Sequence, residues 1–283
     1  MSRRGVIPPP GPGERDTVVH GVRWRSREVE GTGDPTMVFI HGHLATSASW
    51  KEVLGTVAPG RQAIAVDLPG FGFSDRPWPF DYTVAGEGEA LLAFLDARGI
   101  GRVVLIGNSL GGATAMWIAA EHPDRVAALV LVAPATASST IPWPVRFLRA
   151  PLLGGLALAL SSRRSVALGL RRKIYAGAAN VTEERIDDAW RPLTIPGTRR
   201  AALAAIRADP KRYAGLETRV RAPTLIVWGR EDRLLRVKEA EALAARMPDA
   251  RLAILPGAGH LPQREAPRAF SEAVADFLRR LPG

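Results

Sequence analysis

Between residues 102 and 120 the chain passes from an apolar run, Arg102-Val103-Val104-Leu105-Ile106, through Gly107-Asn108-Ser109-Leu110-Gly111-Gly112 and into the helix-forming stretch Ala113-Thr114-Ala115-Met116-Trp117-Ile118-Ala119-Ala120. A glycine-x-serine-x-glycine pattern carries little information alone, but between a strand and a helix it describes one particular sharp turn. Such a turn holds its central residue in strained backbone geometry, and side chains on its neighbours would collide across the bend. Glycines at 107, 111 and 112 remove those side chains. The serine hydroxyl is then raised above the end of a parallel sheet, at a helix N-terminus where negative charge is favoured. The plain alternative is a glycine-rich βα turn with an incidental serine.

The rest of the chain supplies the sheet. Continuous apolar runs recur at 37–40, 63–66, 103–106, 129–132, 225–228 and 252–255, the pattern of strands buried on both faces. Helical patterns lie between them at 49–57, 87–98, 113–121, 237–246 and 267–281. A short hairpin turning at His20-Gly21 precedes them all. The expected fold is therefore α/β, a mostly parallel central sheet flanked by helices.

Two stretches break the rhythm. Residues 1–16, rich in proline and glycine, read as a flexible arm, and no apolar stretch long enough for a secretion signal follows Met1, so the cytoplasm is the expected compartment. Residues 137–215 contain no convincing strand, are interrupted by Pro142, Pro144, Pro151, Pro192 and Pro196, and read as a helical cap inserted between two halves of a core, 17–136 and 216–283. The apolar stretch at 150–160 is too short to span a bilayer and suits a buried or interfacial helix. Of the formal charge of +10, the cap carries +9, from fourteen basic and five acidic residues. That bias fits a substrate that is anionic or lipid-like, peripheral contact with an anionic membrane, or a solvated arginine-rich surface. Arginines outnumber lysines 34 to 4, yet no nucleic-acid-binding motif accompanies them, and no nucleic-acid partner is expected. The absence of cysteine rules out disulfides and thiolate metal sites. No cofactor and no metal are expected.

The chain resembles the α/β-hydrolase superfamily over nearly its whole length outside arm and cap. The resemblance rests on His41-Gly42 after a strand, on Asp67-Leu68-Pro69-Gly70-Phe71-Gly72-Phe73-Ser74-Asp75, on the turn at Ser109, and on Gly259-His260 with Glu265 and Pro267 following. It implies a nucleophilic serine, whose weakly acidic hydroxyl needs a histidine to take its proton and a carboxylate to hold that histidine in the right tautomer. In this fold the order along the chain is serine, acid, histidine, which leaves out His20, His41 and His43. His122 follows the helix that Ser109 starts and so lies at its far end. His260 remains. The loop after 225–228 offers Glu231 and Asp232, and the family pattern puts the acid at Asp232; 133–138, where some relatives carry it, has no carboxylate. The resemblance further implies an oxyanion hole from the backbone N–H groups of Leu110 and His43, with Leu44 as the fallback. His41 and the 67–75 turn read as structural, and Trp50, Trp117 and Trp228 as core. Tyr175 and Tyr213 read as packing residues of the cap.

A serine at this turn argues for an acyl-enzyme and hence for a serine hydrolase of carboxylic esters or similar small acyl compounds, carboxylesterase-like. It argues against relatives with an aspartate nucleophile. One alternative is the branch that hydrolyses carbon–carbon bonds of aromatic meta-cleavage products, whose turn resembles Gly107-Asn108-Ser109-Leu110-Gly111-Gly112-Ala113-Thr114-Ala115. Those enzymes tend to carry a glycine-rich segment after His-Gly and a tryptophan after the histidine, where this chain has His43-Leu44-Ala45 and Leu261. Haloperoxidase- or perhydrolase-like activity, and a non-catalytic ligand receptor, complete the alternatives.

Overall fold

A computed structural model describes residues 5–57, 59–139, 149–209 and 213–281. Met1 to Arg4 of the arm, and Pro142 and Pro144 of the proline-interrupted segment, lie outside the described residues.

The first two strands, β1 (Glu14–Val19) and β2 (Val22–Val29), form the expected hairpin, with His20 and Gly21 both at positive φ in its turn. β2 pairs antiparallel with β4 (Arg61–Val66), and β4 pairs parallel with β3 (Gly33–Ile40). The parallel part continues through β5 (Val103–Asn108), β6 (Val126–Val132), β7 (Thr224–Gly229) and β8 (Ala250–Leu255), giving the order β1-β2-β4-β3-β5-β6-β7-β8. The central strands read as unbroken apolar runs because both of their faces are covered. Leu105, Leu129 and Leu131 point into one core and Val104, Ile106, Val130 and Val132 into the other. Helices α1 (Val84–Ala97) and α2 (Leu110–Glu121) cover the first face.

Two expectations need correction. The helix expected at 49–57 is only a short 3₁₀ turn, Ser47–Trp50, followed by isolated turns. Thr46 caps its start, Oγ1 accepting from Ala48 N–H at 3.2 Å, and one tertiary contact pins it, the buried Asp67 carboxylate accepting from Ser47 N–H at 2.6 Å. Trp50, Val53, Leu54 and Val57 are buried all the same. The arm, for its part, does not run free to residue 16. β1 begins at Glu14, Pro8 O accepts from Arg25 Nη2 at 2.9 Å, and Gly5 N–H donates to Thr194 O at 3.2 Å. Arg25 is 1% exposed, and a buried guanidinium has to find acceptors, which Glu14, Asp16 and the arm's backbone supply.

Between β6 and β7 the described residues form helices α3 (Pro151–Ala159), α4 (Arg163–Gly169), α5 (Glu183–Leu193) and α6 (Thr198–Arg207), with a π-helical turn, Leu170–Ile174, after α4. After β7 come α7 (Lys238–Ala244), the short α8 (Pro262–Glu265) and α9 (Pro267–Arg279). No helix among the described residues is long and apolar enough to cross a membrane.

Glu87, on the face of α1 that meets α2, is fully buried, with Thr114 Oγ1 donating to one carboxyl oxygen at 3.2 Å and no partner for the other. Burial first, then the charge of Asp81, pushes its pKa up from 4.5 to about 8, against the pull of Thr114. Between those two values the folded chain keeps a proton that the unfolded chain has released. Stability therefore falls as pH rises through that window, by about 1.4 kcal/mol for each unit. Glu87→Gln, which cannot ionise, is expected to flatten the pH 5–8 dependence of chemical denaturation and to be more stable than the wild type at pH 8 by roughly 2–4 kcal/mol. Equal slopes in the two proteins would mean that Glu87 ionises freely in the folded state.

Candidate active site

β5 ends at Asn108 and α2 begins at Leu110, so Ser109 is the whole turn. Its φ of 53° and ψ of −117° lie where a non-glycine residue is strained, a cost of about 1–3 kcal/mol that surrounding structure must offset. Backbone contacts do so: Ser109 N–H donates to Val132 O at 3.0 Å, and Ser109 O accepts from Ala135 N–H at 2.9 Å and Ala113 N–H at 3.1 Å. A Cβ on Gly107 would meet the carbonyl carbon of Gly111 at 2.6 Å and Cα of Gly112 at 2.8 Å, which is why the bend needs glycine there.

His260 follows β8 in the loop that also holds Gly257 and Gly259. Its Nδ1–H donates to Asp232 Oδ2 at 2.7 Å. The other oxygen of Asp232 accepts from Leu234 N–H at 2.8 Å and Leu235 N–H at 2.9 Å, which fixes the carboxylate's plane. Asp232 and His260 are buried, while the neighbouring Glu231 is exposed. With Nδ1 donating, Nε2 of His260 is left as an acceptor; it is buried and has no partner among the described residues. Ser109, His260, His43, Leu44 and Leu110 line one cavity of about 440 Å³. Such an arrangement can take a proton from the serine hydroxyl and stabilise the imidazolium that results.

The expected oxyanion donors stand beside it. Leu110 is the first residue of α2, where an N–H has no acceptor in its own helix. His43 N–H is absent from the loop's backbone bonds, in which Ala45 N–H donates to Gly42 O at 3.1 Å, and Leu44 has a φ of 57°. A Cβ on Gly42 would lie 3.1 Å from Cβ of Ser109, so this loop passes directly over the serine.

The remaining histidines separate cleanly. His41 receives Leu68 N–H on Nε2 at 3.1 Å and donates from Nδ1 to Gly42 O at 2.8 Å, a neutral ring that ties the loop to the 67–75 turn; burial pushes its pKa down. In that turn Asp67 accepts from Ser47 N–H and Phe73 N–H, a structural role. The His43 ring lies edge-on to Phe71 with its centroid 5.8 Å away, and burial, followed by the neighbouring His41, pushes its pKa down to about 4. His122 lies beside Glu89 beyond the far end of α2. Trp50 and Trp228 are core, whereas Tyr175 and Tyr213, read as packing residues, also line the cavity.

Several residues of the site were given no role by the sequence, although Asn108 and Glu265 lie within the motifs quoted for the resemblance. Asn108 Nδ2 donates to Val132 O at 3.0 Å and to His260 O at 3.2 Å, joining the serine turn to the histidine loop. Glu265 accepts from Gly259 N–H at 2.8 Å and from Ala176 N–H at 2.7 Å, joining that loop to the helical insertion. Arg264, 5% exposed, pairs with Glu52 at 3.2 Å and Asp188 at 2.9 Å in the cavity wall. Arg185 adds a second bond to Glu52 at 3.2 Å, and Lys51 pairs with Glu184 and Asp188, so α5 is held to the core by alternating charges. These partners lie far apart in the chain, which is why no local pattern announces them. Among the described residues no group of three or more histidine or acidic side chains is placed to hold a metal ion.

A family model described as alpha/beta hydrolase fold matches residues 35–267. A 2-hydroxymuconate semialdehyde hydrolase of Pseudomonas sp. (strain CF600) is 31% identical over 277 residues, covering 93% of each chain. A 2-hydroxy-6-oxononadienedioate/2-hydroxy-6-oxononatrienedioate hydrolase of Burkholderia vietnamiensis is 30% identical over 263 residues, covering 88% of this chain and 89% of its own. Among solved structures, wild-type Cfl2 of Burkholderia cenocepacia superposes with a TM-score of 0.82 at 26% identity, covering 93% of this chain and 95% of its own.

Proposed function

The chain belongs to the alpha/beta hydrolase fold family, and we propose that it is a serine hydrolase cleaving the carbon–carbon bond beside a ketone or aldehyde carbonyl in a carboxylate-bearing, conjugated hydroxy-oxo acid. The observation that carries the serine chemistry is the buried His260–Asp232 bond of 2.7 Å, with the unpartnered Nε2 in the cavity that Ser109 lines. The leaving group is argued from the relatives, whose names specify 2-hydroxy-6-oxo dienoate-type acids, and from cations, such as Arg149 and Lys173, in the cavity wall. In this scheme the 2-hydroxy dienoate first tautomerises to its 2-oxo form, the enol proton passing to the carbon beside the reacting carbonyl, and Ser109 then attacks that carbonyl carbon as His260 Nε2 takes its proton. The N–H groups of Leu110 and His43 hold the oxyanion. Collapse expels carbon, which is feasible because its electron pair spreads into the conjugated 2-oxo acid, and His260 returns the proton to it. Water then releases the acyl group from Ser109 by the reverse sequence. Residues 137–215 act as the cap that closes the cavity over substrate.

Simple ester hydrolysis is the second reading. The sequence alone favours it, because the serine turn reports the nucleophile and not the leaving group. It keeps one observation in its favour: Leu261 lines the cavity where the carbon–carbon branch tends to carry tryptophan. Turnover of 2-hydroxymuconate semialdehyde and of p-nitrophenyl butyrate by the same preparation separates the two. The proposal expects kcat/KM for the semialdehyde to exceed that for the ester by about 10² or more, since only the former engages the cationic wall. The opposite ranking would make the protein an esterase.

A further inference from the structure

We propose that the outer face of α3 and α4 docks on an anionic lipid surface. This goes beyond the proposed reaction and does not rest on it. Residues 151–159 carry no charged or hydrogen-bonding side chain, a composition suited to a helix enclosed on all sides. Only one side of α3 is enclosed. Gly154 and Leu158 face the protein, where the helix packs on α6, while Leu153, Leu156 and Leu160 are 46%, 56% and 73% exposed. Spaced i, i+3 and i+7, they form one outward stripe. Three residues later α4 begins, and its outward positions hold Arg164 and Leu168, the latter 47% exposed. The π-helical turn continues with the exposed Arg171 and Arg172.

The charges identify the occupant. Arg163 pairs with Glu183 and Asp187, but Arg164, Arg171 and Arg172 form no ion pair among the described residues. A second copy laid on this face would bring those cations against their own kind. An anionic bilayer satisfies both features at once, as leucines enter the acyl boundary and the arginines reach headgroup phosphates along their own apolar stems. The inner side of the same elements faces the cavity: Val166, Gly169 and Leu170 line it together with Ser109. Docking would therefore place one wall of the cavity against the lipid surface.

Vesicle flotation tests this without turnover, so the result stands whatever the protein hydrolyses. The full chain is mixed with phosphatidylcholine vesicles, with or without one third phosphatidylglycerol. The wild type is expected to float with the anionic vesicles about tenfold more than with the neutral ones at low salt, and to be released at high salt. The combined Arg164→Gln, Arg171→Gln and Arg172→Gln variant should lose about tenfold in binding, as should the combined Leu153→Ser, Leu156→Ser and Leu160→Ser variant with unchanged circular dichroism. If the leucine variant fails to fold, the arginine variant decides. A wild type that floats with neither vesicle, or binding that survives the arginine substitutions, would overturn the proposal. So would a wild-type dimer that the leucine substitutions dissociate while vesicles go unbound.

Discussion

Ser109→Ala is expected to lose covalent labelling by a fluorophosphonate and to lose about 10⁵–10⁶ in kcat, with its fold and melting temperature unchanged. The size follows from what the hydroxyl does in the proposed reaction. It is the attacking atom, and without it only cavity binding and the oxyanion donors remain to act on water. The unchanged fold follows from what the hydroxyl does not do. The turn is held by the peptide groups of Ser109 bonded to Val132, Ala135 and Ala113, and alanine keeps all three bonds. The φ of 53° strains alanine as it strains serine, so the substitution neither relieves nor adds backbone cost. Labelling is read by intact-protein mass and hydrolysis by initial rates on whichever substrate the wild type turns over. Undiminished labelling of the alanine protein would remove Ser109 from the reaction and move the search to another nucleophile in the same cavity.

What could be read in the sequence divides along a physical line. The strands were legible because a sheet covered on both faces leaves unbroken apolar runs, and β3 to β7 each contain one of the predicted runs. β8 contains one as well, but at the sheet's edge Leu252 is exposed and Ala253 and Ile254 are half-buried, so that run is not covered on both faces. The serine turn was legible because its backbone geometry demands glycine at fixed offsets, and a steric demand writes itself into local sequence. The 49–57 segment misled for the complementary reason: its apolar spacing suits a helix, but the Asp67 carboxylate holds the N–H of Ser47 and the chain settles into turns that bury the same side chains. Glu231 and Asp232 are adjacent and chemically alike, so only family pattern distinguished them. Their burial does so in the folded chain, since the turn after β7 directs one carboxylate to solvent and the other onto His260. The ionic seam of Arg264, Arg185, Lys51, Glu52 and Asp188 left no trace in sequence, because a charge pairs with whatever the fold brings near it.

Asp232→Asn is expected to reduce kcat by about 10⁴ with little change in stability, and the reason lies in which atom carries a proton. Oδ1 of Asp232 accepts from the N–H groups of Leu234 and Leu235, so an asparagine will present its own oxygen there to keep both bonds. Its NH₂ group then occupies the place of Oδ2, 2.7 Å from His260 Nδ1. A donor in that place requires Nδ1 to be an acceptor, which forces the ring proton onto Nε2. The nitrogen that should receive the serine proton is thereby already occupied, and the negative charge that would steady the imidazolium is gone as well. Since the two backbone bonds survive, melting temperature should hold while turnover collapses. Glu231→Gln, altering an exposed side chain one residue away, should leave kcat within about twofold of the wild type, in line with the small effects of surface substitutions. A larger loss in Glu231→Gln than in Asp232→Asn would reverse the assignment. It would require the loop after β7 to rearrange when substrate enters, so that Glu231 replaces Asp232 against the histidine.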